Sequence, residues 1–369
     1  MDCSISLENG KSPNPNLLNQ TNQNHQEKPA NSTLTLSVLM SVYNGSAYLR
    51  EAIDSILNQS FTQFEFIIID DCSTDDSWQI LQEYADRDSR IRLFQNQQNL
   101  GLTKSLNRGL TLAQGDYIAR QDADDIALPD RLKQQVNVLN QQPEVVLVSC
   151  ELEWINEAGE SIAKMERSCC SELIPWHLLF YNHVGGHSQV MYRRQTVLAT
   201  GGYSEVRRYS QDYELWCRLA KSGKIVMLPD VLQIQRIHSN AISSQKRSEQ
   251  EAFSLAQSRK NIAELIGEEL SDEELRALRG FWIVPIYWLY FSKLQFSRQK
   301  ALLIQTRLQQ IYQAFIQREK GEISDSMKRE IKQLIRQKFL CWQQYVGVRK
   351  HLFLKLQLLF YGLVWLPSR

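Results

Sequence analysis

The sequence predicts a doubly wound α/β sheet followed by a region made only of helices. Short apolar runs alternate with amphipathic helical segments as far as about Ser248, which is typical of βαβ units. Beyond that point Gln, Leu, Arg and Lys dominate and strand signals stop. With 369 residues and 43% hydrophobic content, the chain is long enough for one large domain and a substantial appendage. We therefore predict an α/β domain at residues 34–248 and a helical region at residues 249–369.

Residues 1–33 do not fit either region. They are rich in Asn, Gln, Ser and Pro, and they lack a basic start followed by an apolar core. A secretory signal peptide needs that arrangement, whereas polar low-complexity segments cannot bury enough apolar surface to fold. We interpret this stretch as a disordered leader.

The first βαβ unit begins with an apolar strand at residues 36–40, which runs into turn residues at 43–46. A helix follows, for which Ser46 is the expected N-cap. The next apolar run, at residues 64–69, is typical of a strand in a parallel sheet. The helix is indicated by apolar residues at helical spacing, namely Leu49, Ile53, Ile56 and Leu57.

The same alternation continues to residue 155. Further helices are predicted at 78–85, around Leu102, Leu106 and Leu110, and around Leu132, Val136 and Leu139; further strands are predicted at 91–94, 117–119 and 145–148. Residues 152–155 precede the turn sequence NEAG and are interpreted as one arm of a hairpin. A hairpin within a parallel framework makes the predicted sheet mixed.

The helical region contains two strongly apolar, aromatic stretches, at residues 281–291 and 351–366. No apolar run reaches the roughly 18 to 20 residues that a transmembrane helix needs. The second stretch fits the core of a helix bundle. Because basic residues flank it, it also fits a helix lying in a membrane interface. Peripheral membrane contact therefore stays an open interpretation.

Charge and cysteine content narrow the class of protein. The 42 basic and 41 acidic residues leave a net charge of +1, so no global field recruits nucleic acid. The seven cysteines, which include the neighbours Cys169 and Cys170, form no C-x-x-C pair and leave one over. This pattern argues against a disulfide framework. It predicts a cytoplasmic location, with the inner face of the cell membrane as the alternative.

Three acidic clusters are candidates for chemistry, and their positions in the sheet distinguish them. Ligands of open parallel sheets bind at the carboxyl ends of strands. Two clusters directly follow predicted strands, whereas the third lies between a helix and the next strand. The first cluster is Asp70 with Asp71, and the second is Asp122 with Asp124 and Asp125. The third cluster is Asp86 with Asp88. A D-x-D triple arises by chance about once per 250 positions, so the spacing alone does not indicate a site. Because the third cluster does not follow a strand, we interpret it as a solvated loop whose negative charge is balanced by Arg87.

The cluster that begins at Asp122 has two interpretations. It fits a solvated acidic turn before Pro129. It also fits a site for Mg²⁺ or Mn²⁺, which takes one or two carboxylates and completes its coordination with phosphate oxygens and water. The cluster at Asp71 likewise fits a helix cap, through Ser73, Thr74 and Asp75, or a contact to a nucleobase or ribose.

Five segments, taken in order, resemble the inverting family 2 glycosyltransferases. They read VLMSVYNG at residues 38–45, IIIDDCSTD at 67–75, NLG at 99–101, QDADD at 121–125 and QDYELW at 211–216. The resemblance covers roughly residues 34–244 and implies a GT-A fold, a Rossmann-like mixed sheet. It also implies transfer of a sugar, with inversion, from a nucleotide-diphosphate donor to a hydroxyl of a glycan, a lipid-linked molecule or another acceptor, in polysaccharide or glycoconjugate synthesis.

The resemblance also assigns roles to individual residues. Asp212 is the implied catalytic base, and Asp124 is the implied main metal ligand, with Asp122 and His238 beside it. Donor contacts are implied for Ser41, Tyr43, Asp71, Lys104 or Arg108, and Asp122; the acceptor side is implied for His187 and Glu214. From the sequence alone, Asp212 also fits a helix N-terminal carboxylate, and Glu214 is the second candidate for the base.

Two positions depart from the commonest family pattern, and two other functions stay open. Gln211 stands where an acidic residue usually precedes the base, and Cys72 stands where glycine or asparagine is frequent. We expect Cys72 to be a small buried side chain. The first alternative function is a nucleotide-sugar-binding protein without turnover. The second, a sugar nucleotidyltransferase, is disfavoured because residues 41–45 offer neither several glycines nor a lysine.

Overall fold

The computed structural model describes residues 34–165, 167, 171–239, 241–283, 297–318, 323–345 and 352–365. The predicted leader and the neighbours Cys169 and Cys170 lie outside these residues. The strands are β1 Leu36–Val42, β2 Phe64–Asp70, β3 Ile91–Gln95, β4 Tyr117–Gln121, β5 Ile126–Ala127, β6 Val145–Ile155, β7 Ser161–Lys164, β8 Met191–Arg193 and β9 Lys224–Arg236.

The helices outnumber the strands. They are α1 Ser46–Leu57, α2 Ser77–Arg87, α3 Leu102–Leu112, α4 Arg131–Gln141, α5 Ile174–His177, α6 Arg194–Ala199, α7 Gln211–Leu219, α8 Ile242–Gln245, α9 Arg247–Ile266, α10 Asp272–Ile283, α11 Arg298–Arg318, α12 Asp325–Tyr345 and α13 Leu352–Val364. Two short 3₁₀ helices span Ser171–Leu173 and His187–Gln189. From Ile242 onward the described chain is helical, as the sequence predicts.

The strands form one mixed sheet in the order β3-β2-β1-β4-β8-β6-β9-β5, with β7 paired to β6. Strands β3, β2, β1 and β4 are parallel, whereas β8 is antiparallel to both β4 and β6. Because β1, β2 and β4 are parallel, the loops that follow them meet at one edge of the sheet. Asp86 lies in the last turn of α2, not in the predicted loop, and Asp88 directly follows that helix; both precede β3 and therefore lie at the opposite edge.

The apolar strands of the parallel half are covered on both faces. All seven residues of β2 are buried, and so are six of the seven in β1. One face packs against α1, α2 and α4, and the other against α3 and α7. Burial on both sides explains why these strands show continuous apolar runs rather than alternation. The core therefore fixes the loops at the carboxyl edge.

The structure corrects two local expectations and adds the long strand β9. Strand β6 runs without a break from Val145 to Ile155, because its polar central residues are buried; Ser149, for example, donates a hydrogen bond to the carbonyl of Val184 (2.7 Å). Strand β9 was not predicted, since Pro229 interrupts it where the pairing to β6 shifts register. Helix α1 is capped by Gly45, and Ser46 is its first residue.

The helical region packs directly against the α/β part. Helices α9 to α13 form a cluster with Leu173, Trp176 and Phe180, in which the ring of Trp176 meets the ring of Trp282 at 5.7 Å. Helix α9 also contacts the segment before α7. The hydroxyl of Ser210 donates to the carbonyl of Gln250 (3.0 Å), and Arg207 donates to the side chain of Gln257 (3.1 Å). Ser210 itself has a left-handed backbone, with φ of 53°.

Cys72 corrects another expectation, because its backbone conformation matters more than its burial. It is half-buried, and its φ of 62° lies in the left-handed region. Glycine adopts that region freely and asparagine adopts it at low cost, whereas other side chains are strained there by about 1–2 kcal/mol. This conformation explains why glycine or asparagine suits this position.

We expect Cys72→Asn to raise the free energy of unfolding by roughly 0.5–1 kcal/mol, because asparagine tolerates the left-handed backbone. Cys72→Ala is the matched control: it removes the thiol but keeps the strain, so it should give no gain. Urea denaturation of the three proteins measures the difference. If alanine stabilises the protein as much as asparagine does, the backbone explanation fails.

Candidate active site

Two loops at the carboxyl edge of the sheet are tied together by hydrogen bonds. The backbone amides of Asn44, Gly45 and Ser46 donate to the side chains that follow β2, with distances of 2.9–3.1 Å to Ser73, Ser77 and Asp75. Asp75 also accepts the amide of Ser77 (3.0 Å), so one carboxylate joins the starts of α1 and α2. Partial burial raises the pKa of Asp75, but the hydrogen bonds from Ser46 and Ser77 together bring it below its usual value.

Asp71 is buried below these loops and organises the next one. Its carboxylate accepts hydrogen bonds from the side chain of Asn96 (2.6 Å) and from the backbone amides of Leu100 and Gly101 (both 2.8 Å). Gly101 has a φ of 86° and caps the start of α3. Asp71 therefore fixes the loop that leads into α3.

The acidic cluster follows β4 and rests on buried arginines. Arg120 donates to the carboxylate of Asp122 (2.9 Å), and the hydroxyl of Ser188 accepts the amide of Asp122 (3.0 Å). Arg131 donates to the carbonyl of Arg120 (2.9 Å) and to the carbonyl of Ser188. Burial lowers the pKa of Arg131 to about 10. Both guanidinium groups are thus held beneath the acidic turn.

The other two carboxylates of the cluster point to β9. Asp124 lies 2.9 Å from Nε2 of His238, and Asp125 accepts the backbone amide of Arg236 (3.1 Å). Burial raises the pKa of Asp124, and the charge of Asp122 raises it further, whereas His238 lowers it. Burial and the charge of Asp124 also raise the pKa of Asp125 well above its usual value. Burial and mutual repulsion therefore disfavour the ionised forms of these carboxylates.

Asp212 lies in the first turn of α7 and is held from two sides. Its carboxylate accepts a hydrogen bond from the side chain of Asn182 (3.0 Å) and another from the backbone amide of Tyr213 (2.7 Å). Burial raises the pKa of Asp212; His187 lowers it, and Asp122 raises it. Ser188 accepts the amide of Asp122 (3.0 Å), and the ring of the adjacent His187 lies 6.2 Å from that of Trp216, so the acidic turn and α7 meet at the short helix His187–Gln189.

His187 is a neutral neighbour of this carboxylate. Burial lowers the pKa of His187, while Asp212 opposes that shift. Its ring lies 5.5 Å from the ring of Tyr203 and 6.2 Å from that of Trp216. Burial therefore favours the uncharged imidazole, which packs against Tyr203 and Trp216.

The remaining predicted residues occupy less central positions. Ser41 is half-buried at the end of β1, and Tyr43 is 52% exposed just beyond it. Lys104 is exposed on α3, while Arg108 on the same helix donates to the carbonyl of Gln95 (2.9 Å). Glu214 is buried and forms a bidentate ion pair with Arg218 (2.7 and 2.9 Å). Its carboxylate is thereby directed along α7, away from Asp212.

Several residues of the site were missed by sequence reasoning. The missed residues are Arg120, Arg131, Asn182 and Ser188. Of these, only Arg120 is indicated by the sequence. A charged residue at the end of a buried strand needs an opposite charge nearby, and the acidic turn directly follows it. For the third acidic cluster, the compensating partner of Asp88 is Arg90 (2.6 Å) rather than Arg87.

The acidic turn suits a cation that also binds an anionic ligand. Within the described residues no group of three or more His, Cys, Asp or Glu side chains is arranged to hold a metal ion. Magnesium and manganese do not require such a cage, since they bind through one or two carboxylates and substrate phosphates. Asp122 and Asp124 fit that role, because their side chains stay 30% and 32% exposed and each carboxylate would gain from a nearby cation.

Comparison with known sequences gives a family match and related chains. Residues 37–198 match the sequence model of glycosyl transferase family 2. A Haemophilus influenzae glycosyltransferase is 32% identical over 239 residues, which cover 62% of this chain and 73% of the relative. The amylovoran biosynthesis glycosyltransferase AmsE of Erwinia amylovora is 29% identical over 216 residues, or 57% of this chain and 79% of the relative.

Solved structures share the fold at low sequence identity. Residues 1–349 of TarS from S. aureus, in complex with UDP-GlcNAc, align with a TM-score of 0.53 at 16% identity, covering 81% of this chain and 86% of that one. The mannosyltransferase PcManGT from Pyrobaculum calidifontis, in complex with GDP-Man and Mn²⁺, aligns with a TM-score of 0.51 at 17% identity, covering 89% and 86%. These likenesses confirm the predicted sheet architecture and the helical C-terminal region.

Proposed function

The chain belongs to glycosyltransferase family 2, and from this we propose that it transfers a sugar from a nucleotide-diphosphate donor to an acceptor hydroxyl with inversion. The observation that carries this proposal is the convergence of two acidic groups at one edge of the sheet. Asp122 and Asp124 follow β4, and Asp212 begins α7. The short helix His187–Gln189 lies between them: Ser188 accepts the amide of Asp122 (3.0 Å), and the ring of His187 lies 6.2 Å from that of Trp216 on α7. One group suits the donor diphosphate and the other suits the acceptor.

Asp212 is the proposed catalytic base. As the acceptor oxygen forms a bond to the anomeric carbon, its proton moves to the Asp212 carboxylate. The bond between the anomeric carbon and the diphosphate oxygen breaks, and the nucleoside diphosphate leaves with the electron pair. A single displacement of this kind inverts the anomeric centre. Asn182 is a positioning residue in this proposal, because its amide holds one carboxylate oxygen of Asp212.

A divalent cation is proposed at Asp124 and Asp122, with His238 beside Asp124. When bound, it would neutralise charge on the departing diphosphate. Two observations support the choice of ligand class: the partly exposed carboxylates at the end of β4, and the presence of Mn²⁺ with GDP-Man in PcManGT. Asp71 and the loops it fixes are proposed to contact the nucleoside, together with Ser41, Tyr43 and Lys104.

The acceptor is proposed to be a glycan, a lipid-linked molecule or another hydroxyl compound in polysaccharide or glycoconjugate synthesis. The relative AmsE carries amylovoran biosynthesis in its name, which supports this assignment. His187 and Glu214 are the predicted acceptor-side residues. Of the two, His187 is better placed, since Glu214 is committed to Arg218.

A donor screen tests the proposal. The purified full chain is incubated with UDP- and GDP-linked sugars in Mn²⁺ or Mg²⁺, and release of nucleoside diphosphate is followed with and without simple sugar acceptors. We expect release from one donor class, dependent on the metal. Tight donor binding without release under any acceptor would favour a binding protein without turnover. Release that needs no metal would overturn the proposed role of Asp124.

As the pH is lowered, the proposed base Asp212 should become protonated, and inactive, at a higher pH than an ordinary aspartate does. Burial raises the pKa of Asp212, so the protonated, inactive form persists above the usual range near 3.9. We expect kcat/KM to fall as the pH decreases through this raised pKa and to rise as the pH increases. A pH–rate profile of kcat/KM, in buffers of constant ionic strength, measures the acid limb. An acid limb at or below the ordinary aspartate range would contradict the assignment.

A further inference from the structure

Helix α13 exposes a continuous apolar stripe. Its members recur at helical spacing, and their exposed fractions lie between 46% and 61%. They are Leu356, Phe360, Leu363 and Val364. Single exposed apolar side chains are ordinary, but four on one face of a short helix indicate a contact surface. We call this surface the α13 stripe.

The rest of α13 is packed firmly, so the α13 stripe is a fixed face of a docked helix. The indole of Trp365 donates to Gln305 of α11 (2.8 Å), and the rings of Tyr361 and Phe339 meet at 5.6 Å. Gln357 donates to the carbonyl of Arg298 (3.2 Å). These contacts bury Leu358, Tyr361 and Trp365, and the α13 stripe lies on the remaining side of the helix.

The helical end of the chain that carries the α13 stripe is strongly basic. Residues 297–369 contain 14 Lys and Arg residues and 4 Asp and Glu residues, whereas residues 1–296 contain 28 and 37. The net charge of +1 therefore conceals a basic helical end and an acidic remainder. The basic helices α11 and α12 both contact α13: the carbonyl of Arg298, at the start of α11, accepts the hydrogen bond from Gln357, and the carbonyl of Arg336 in α12 lies beside Gly362.

We propose that the α13 stripe binds the surface of an anionic lipid bilayer, with its apolar side chains among the acyl chains and the cations of α11 and α12 near the phosphates. Apolar area combined with positive charge is what such a surface recognises. A second copy of the chain is a poorer occupant, because it would bring two basic ends together.

The helix lies on the bilayer rather than through it. With 13 residues, α13 is about 20 Å long, which is shorter than the roughly 30 Å hydrocarbon core. No helix in the described part of the chain is long and apolar enough to cross a membrane.

Vesicle flotation tests the proposal. The full chain is mixed with vesicles of phosphatidylcholine alone, or of equal parts phosphatidylcholine and phosphatidylglycerol. We expect flotation with the anionic vesicles only, weakened at high salt. The double variant Phe360→Ser/Leu363→Ser should bind at least about tenfold more weakly, since two half-exposed apolar side chains lose their burial. The matched control is Ile162→Ser, which replaces an apolar residue of β7 that is 54% exposed.

Three outcomes overturn the proposal. These are absence of flotation with anionic vesicles, equal flotation of the double variant and wild type, and a dimer by light scattering that the double variant dissociates. Thermal unfolding followed by circular dichroism checks that each variant is folded, and Leu356→Ser alone provides a milder second variant. The binding measurement contains no donor, metal or acceptor, so its failure is distinct from a failure of the proposed sugar transfer.

Discussion

Asp212→Asn is expected to lower the rate of nucleoside diphosphate release in the presence of acceptor by about 10²–10⁴-fold, the usual contribution of a general base. Asparagine keeps the shape of the side chain and can still accept one of the two hydrogen bonds that Asp212 receives from Asn182 and Tyr213. It cannot take a proton from the acceptor hydroxyl. The loss should therefore appear in kcat, with donor affinity little changed.

The same variant should be at least as stable as wild type at neutral pH. Burial raises the pKa of Asp212, which means that the folded protein disfavours its charged form. Asparagine removes that charge. The free energy of unfolding of wild type falls as the pH rises through the raised pKa, and the variant lacks this component. Urea denaturation at several pH values measures it, which separates loss of catalysis from loss of folding.

Asp86→Asn is the control for the first prediction. Asp86 also belongs to a D-x-D triple, but it is exposed on α2 at the opposite edge of the sheet. Its replacement should leave both rate and stability unchanged. If Asp212→Asn retains transfer within a few-fold of wild type, Asp212 is not the base, and the acceptor proton must go elsewhere.

Asp124→Asn is expected to lower metal-dependent release by more than about 100-fold, since a bound cation is worth several kcal/mol to a reaction in which a diphosphate departs. Removing the metal with a chelator should have the same effect on wild type, and added Mn²⁺ or Mg²⁺ should restore it. Asp124 gives a cleaner test than Asp122. Asp122 also pairs with the buried Arg120, so its loss would strand a buried charge.

The readout that discriminates a metal ligand from a structural residue is the metal titration. For Asp124→Asn, the concentration of Mn²⁺ needed for half-maximal rate should rise steeply, while thermal unfolding without metal stays close to wild type. Asp86→Asn again serves as control. Chelator-treated wild type that keeps its full rate would show that the acidic turn acts without a cation.

The parallel half of the fold was predictable because its strands are buried on both faces and therefore appear in the sequence as continuous apolar runs. All seven residues of β2 are buried, and the helices between these strands keep a clear apolar face. Strand β9 could not be predicted in the same way. Its residues alternate between half-buried and buried only as far as Leu228, Pro229 interrupts its pairing, and its partner β6 precedes it by about 80 residues. Such pairing depends on tertiary context, which a local pattern does not contain.

For the site, the carboxylates were predictable and their supports were not. Asp71, Asp122, Asp124 and Asp212 occupy ends of strands or the start of a helix, positions that can be read from the pattern of apolar runs. Asn182 lies in a loop, and nothing in its neighbours indicates that its amide reaches Asp212. Ser188 likewise joins the site through contacts to Asp122 and Arg131, each more than 50 residues away. Long-range polar contacts of this kind leave no periodic signal.

The strained Ser210 has a consequence for how the chain can be divided. Its hydroxyl is held by the carbonyl of Gln250 in α9, and its left-handed backbone leads directly into the turn that presents Asp212. The boundary predicted after residue 248 marks where strands stop, but support for the start of α7 and the proposed base Asp212 crosses it. Exchanging the helical end for that of another chain would therefore change more than an attachment. In such a chimera Ser210 would lose its contact to α9, and the first turn of α7 would be positioned differently. The two regions should therefore be transplanted together.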